Sequence, residues 1–90
     1  MVVCEAVVKN KYGIHCRPSG LIAKAAQAYS GEIRVQGRNG QEGEARSVLA
    51  LMGLGIQCGD RIRIFVEGPD EEAVGAEFVE HFERVYDFQR

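Results

Sequence analysis

The chain has 90 residues, 46% of them hydrophobic and 27% charged, with a formal net charge of -2. Such a length supports one modest core, so a single domain over residues 1–90 is expected. The mildly acidic balance excludes a strong global pull toward nucleic acid, and no apolar run nears the roughly 20 residues that span a bilayer.

Residues 2–8, "VVCEAVV", place Val2, Cys4, Ala6 and Val8 on one face, with Glu5 on the other. Period two with β-branched residues predicts a strand with one buried face. The N-terminal run lacks a basic leader and carries Glu5, so it is read as mature protein and not as a signal peptide. "KNKYG" is a polar turn. A helix is predicted over Arg17–Tyr29, with Pro18 in the first turn, where a missing N–H is harmless. Leu21, Ala25 and Ala28, flanked by Ile22, Ala26 and Tyr29, give its apolar stripe, and Gly31 is expected as a left-handed cap.

"EIRVQ" predicts a short strand with Ile33 and Val35 inward. Asn39-Gly40 signals a hairpin, and "QEGEA" is its weakly apolar return strand. Ser47 caps a short helix, "SVLALM". "RIRIFVE" alternates most clearly, with Ile62, Ile64 and Val66 inward. The last helix opens with Asp70, Glu71 and Glu72 at the positive end of its dipole. Its stripe is Val74, Phe78, Phe82 and Val85. The order β-α-β-β-α-β-α predicts an α+β fold: a four-stranded antiparallel sheet with three helices on one face.

Three cysteines, Cys4, Cys16 and Cys58, are too few and too scattered for a disulfide framework, which points to a reducing cytoplasm. His15 and His81 are distant in sequence, and no spacing marks a metal site. His81, among Glu80, Phe82 and Glu83, is read as a surface helix residue, and Phe88 is left unassigned.

His15 carries the chemistry. It precedes the helix opened by Arg17 and Pro18, where free backbone N–H groups favour an anion. Arg17 adds a planar, permanently charged donor suited to phosphate oxygens. A neutral ring nitrogen accepts a phosphoryl group and also releases it, so the arrangement suits reversible transfer more than hydrolysis.

"GIHCRPSG" resembles the active-site segment of HPr, the histidine-containing phosphocarriers of the bacterial phosphotransferase system. "ARSVLALMGLGIQCGDRIRIFVEGPDEEAV" is similar to the second signature of that family. The likeness spans essentially the whole chain. It implies an open-faced two-layer sandwich, His15 as phosphohistidine modified at Nδ1, and Arg17 stabilising the phosphoryl group. Ser47 corresponds to the family's regulatory serine, the target of a kinase or phosphorylase, and Arg46 stands where lysine is frequent. Enzyme I is the implied donor and enzyme IIA domains the acceptors, with no cofactor, no nucleic acid and no membrane insertion. Lys24, Gln27, Val48, Leu49 and Met52 are the implied partner surface, and a monomer is expected.

Cys16 and Ser19 depart from the family pattern beside the histidine, and Ala50 and Gly53 alter the short helix. Two other functions remain open at this point. One is a regulatory HPr-like phosphoprotein without a role in sugar transport. The other is a small metabolite-binding module in which His15 and Arg17 grip an anionic group.

Overall fold

The computed structural model describes residues 1–11, 13–14 and 16–85, and only the backbone of Cys16. The expectations on His15, on the Cys16 thiol and on Phe88 therefore fall outside the described residues. The elements are β1 (Val2–Val7), α1 (Cys16–Gln27), β2 (Glu32–Gln36), β3 (Glu42–Glu44), α2 (Val48–Gly53), β4 (Arg61–Glu67) and α3 (Glu71–Glu83), in the predicted order. Among the described residues, no helix is long and apolar enough to cross a membrane.

The sheet runs β1-β4-β2-β3, with every neighbouring pair antiparallel. Because β4 is central, its register aligns apolar side chains in rows. Cys4, Ile64 and Val35 share one row, and Val2, Val66 and Ile33 the next. Ala6, Ile33, Val35, Ile62, Ile64 and Val66 are buried on that face, where Ile22, Ala23, Ala26, Leu51, Phe78 and Phe82 meet them from the helices. Full burial of a phenylalanine contributes about 1.5–3 kcal/mol, so Phe78 and Phe82 make α3 a principal support of the sheet. The opposite face carries Glu5, Arg61, Arg63 and Glu67 into solvent.

Several local expectations are corrected. The buried side of α1 is Pro18, Ser19, Ile22, Ala23 and Ala26, while Leu21 is 49% exposed and Ala28 is exposed. The stripe is thus rotated by about one residue from the predicted one. Gly31 is not left-handed; a Cβ there would lie 2.3 Å from the Glu67 carbonyl oxygen and 2.6 Å from the Tyr29 ring. It is required for close approach. Tyr29 itself donates to the Pro69 carbonyl at 2.7 Å, fastening the end of α1 to the β4–α3 turn. Burial, then the Glu71 and Asp70 carboxylates, raise the phenol above its ordinary pKa, so it remains a donor at neutral pH. Val85 lies beyond α3 and is 53% exposed, so the stripe of that helix ends at Phe82. His81 is half-buried, its ring edge-on to Phe78 at 5.0 Å and its Nε2 3.4 Å from Glu77.

The segment leading into α1 is held from outside by backbone pairing. The Val8 amide donates to the Asp60 carbonyl at 3.0 Å, the Gly59 amide to the Val8 carbonyl at 2.7 Å, and the Ile14 amide to the Ile56 carbonyl at 3.1 Å. Asn10, fully buried, donates from Nδ2 to the Gly13 carbonyl at 2.7 Å and accepts the Gly13 amide on its own carbonyl at 2.9 Å. Gly13 has φ +72°, and a Cβ there would sit 2.2 Å from the Ile56 carbonyl oxygen. Asp60 fixes the opposing loop by accepting the Gln57 amide at 2.8 Å.

Gly13→Ala combines a left-handed backbone with a collision against a main-chain atom. We expect it to destabilise the fold by roughly 2–4 kcal/mol. A urea titration should show a lowered midpoint with an unchanged slope; an unshifted midpoint would refute the clamp.

Candidate functional site

Helix α1 begins at Cys16, directly after the clamped segment. Its first-turn amides have no partner within the helix, and Pro18 occupies that turn as expected. Pro18 and Ser19 are buried, and the Ser19 hydroxyl donates back to the Ile14 carbonyl at 3.3 Å. The serine that departs from the family pattern thus ties the first turn to the residue before position 15. Arg17 is exposed. Arg17, Leu21 and Lys24 follow at i, i+4 and i+7, which puts them on one outward face of the helix.

Helix α2 lies beside α1 and is capped as predicted. The Ser47 Oγ accepts the Ala50 amide at 3.1 Å, and the Ser47 backbone is extended, with φ -108° and ψ 115°. Leu51 is completely buried and anchors this short helix, and Val48 is half-buried against the core. Leu49 is 82% exposed and Met52 43% exposed. Gln27 donates from Nε2 to the Arg46 carbonyl at 3.0 Å, which links the end of α1 to the turn before Ser47. Arg46 is exposed, with its Nε 3.8 Å from Glu44.

Of the predicted partner surface, Leu49 and Met52 are apolar and exposed, Lys24 and Gln27 are exposed on α1, and Val48 is shared with the core. Leu21 is also an exposed large apolar residue, and periodicity misassigned it to the buried stripe. Asn10, Gly13, Ser19 and Asp60 were also not recognised. For Asn10 and Gly13 a signal existed: Asn followed three residues later by Gly is a pattern for a side-chain-closed turn. Among the described residues, no three His, Cys, Asp or Glu side chains come together as a metal site.

The geometry can hold an anion. It offers a helix terminus and, on its first turn, an exposed guanidinium, preceded by a segment tied to the 56–60 loop by main-chain hydrogen bonds. Comparison with known proteins gives this arrangement a family. The model of the family described as "PTS HPr component phosphorylation site" matches residues 2–84. The phosphocarrier protein HPr of Mycoplasma genitalium is 40% identical over 68 residues, 76% of this chain and 77% of that protein. The phosphocarrier protein NPr of Escherichia coli K12 is 33% identical over 88 residues, covering 97% of this chain and 98% of that one. In three dimensions, the crystal structure of HPr-C-His from Thermoanaerobacter tengcongensis superposes with a TM-score of 0.83 at 30% identity, over 91% of each chain. A family match from residue 2 to residue 84, with the open-faced sandwich it predicts, means that the chain belongs to the HPr family of phosphotransferase-system phosphocarriers.

Proposed function

We infer that the chain carries a phosphoryl group on Nδ1 of His15, taking it from phosphorylated enzyme I and passing it to enzyme IIA domains during sugar uptake. The single observation behind this reading is the family match across residues 2–84, within which "GIHCRPSG" supplies the acceptor histidine. In each transfer a P–N bond to His15 forms as the donor's bond to phosphorus breaks, and the reverse exchange unloads it. A phosphoryl group brings a charge of about -1.5 to -2, which the first-turn amides of α1 and the Arg17 guanidinium complement. The chain performs no turnover alone on this reading; its partners supply both ends of the exchange.

Lys24, Gln27, Val48, Leu49 and Met52 form the docking surface in this proposal, extended by Leu21. A carrier needs a small, quickly released interface, and scattered exposed apolar side chains within a polar rim suit that better than a broad hydrophobic face. Methionine suits a surface that must fit more than one partner. Ser47 is the proposed regulatory site, modified by a serine kinase or phosphorylase, and the cytoplasm is the proposed compartment.

The near full-length relationship to NPr supports a second reading. There the same histidine chemistry serves regulation rather than sugar transport. Transfer from the phosphorylated chain to a sugar-specific IIA domain favours the first reading, and transfer confined to a IIA domain with no sugar permease favours the second.

Incubation with enzyme I and labelled phosphoenolpyruvate should load an acid-labile, base-stable phosphate. His15→Ala should load none; acid-labile label on that variant would refute the assignment. Arg17→Ala should still accept the group but slow transfer roughly 10–100-fold, the effect of losing one charge-assisted hydrogen bond.

Ser47 separates into two effects. Ser47→Ala should lower stability by about 0.5–2 kcal/mol through the lost cap and leave the transfer rate near its original value. Ser47→Asp keeps an oxygen acceptor but places negative charge beside the docking surface, so transfer from enzyme I should weaken. Unchanged transfer kinetics for Ser47→Asp would count against a regulatory role.

A further inference from the structure

The face of the sheet that carries no helices holds a cleft of about 320 Å³ between the β2–β3 hairpin and the outward side chains of β1 and β4. Its lining includes Arg38, Arg61 and Arg63, with Glu5 as the only acidic member among the described residues. Register explains the convergence. Glu5, Arg63 and Gln36 stand in one row across β1, β4 and β2, and Arg61 is two residues from Arg63 on the same outward side of β4. The hairpin brings Arg38 over this row, in a tight turn closed by the Gly40 amide on the Gly37 carbonyl at 3.0 Å.

The charges there are poorly matched. Glu5 is shared between Arg61 at 3.5 Å and Arg63 at 3.8 Å, and Arg38 reaches Asp60 only at 3.5 Å. The other oxygen of Asp60 is occupied by the Gln57 amide. On the same face Arg34 meets Glu42 at 2.7 Å, which is the distance of a well-made charge-assisted hydrogen bond. Three guanidiniums and two carboxylates leave a local excess of positive charge on a chain whose net charge is -2. Guanidiniums present forked donors that match phosphate oxygens, and the cleft has the volume of a small-ligand site, roughly 300–1,000 Å³ in general.

We propose that this cleft, on the sheet face opposite the helices, binds the dianionic phosphate group of a small phosphorylated metabolite through Arg38, Arg61 and Arg63. The ligand displaces Glu5 from its two long contacts. The cleft's lining includes no residue of α1, and it takes its ligand without covalent transfer. Glu5 acts as an internal competitor, so its removal strengthens binding.

The test is a titration of the ¹⁵N-labelled full chain, followed by amide shifts at constant ionic strength. Glucose 6-phosphate, inorganic phosphate, sodium chloride and a short single-stranded oligonucleotide serve as probes. Saturable shifts confined to residues 36–40 and 61–63 with glucose 6-phosphate are expected. An equal affinity for inorganic phosphate upholds the site, with the phosphate group alone being read; a tighter ester upholds it with a contribution from the sugar. Arg63→Gln should weaken binding roughly tenfold, and Glu5→Gln should tighten it. Both variants should accept phosphate from enzyme I at the original rate, so failure here is distinguishable from failure of the carrier reading. Shifts that do not saturate, shifts matched by chloride, tighter binding of the oligonucleotide, or a Glu5→Gln variant that binds no better would overturn the proposal.

Discussion

The pairing of the Ile14 amide with the Ile56 carbonyl, at 3.1 Å, is the contact on which the functional end of the molecule rests. It joins the segment before α1 to the loop between α2 and β4. Asn10, Gly13 and Ser19 act on one side of it and Asp60 on the other, each through a main-chain partner. On the carrier reading, a terminus that receives a charged group gains from being held before the group arrives, since ordering it afterwards would cost conformational entropy at every exchange. Here the bonds that join the two segments are between main-chain atoms.

That clamp also explains what was legible in the sequence. The strands were, because Ile62, Ile64 and Val66 alternate with Arg61, Arg63 and Glu67, and a half-buried sheet leaves no other arrangement. The short helix at Ser47 was, because its cap is local. The hydrogen bonds between residues 8–14 and 56–60 were not, because they join main-chain atoms more than forty positions apart and leave no pattern in side-chain type. Gly13 showed only as a turn residue, although the nearness of the Ile56 carbonyl is its stronger constraint.

The misplaced stripe on α1 has a different cause. Hydrophobic period identifies a helix with an apolar side, but it does not say whether that side meets the core or another protein. Leu21 is large and outward, while Ser19, Ala23 and Ala26 are small and inward. Taking Leu21 as the start of the i, i+4, i+7 repeat therefore turned the expected stripe toward solvent. On α2 the same ambiguity fell the other way: Leu49 and Met52 were expected outward and are exposed, while Leu51 is fully buried. On the carrier reading these conflicts gather where partners dock, which is where local sequence rules are expected to give way to function.

Strand order has a further consequence for how the polypeptide comes together. The centre of the sheet is β4, spanning Arg61–Glu67, yet both its neighbours, β1 and β2, precede it by many residues. During synthesis only the β2–β3 hairpin can find its sheet partner early. The first strand must wait, its apolar face uncovered, until the fourth emerges from the ribosome tunnel. Nascent chains stalled before Arg61 would thus present an unfinished surface to chaperones and proteases, and those released after β4 could close abruptly.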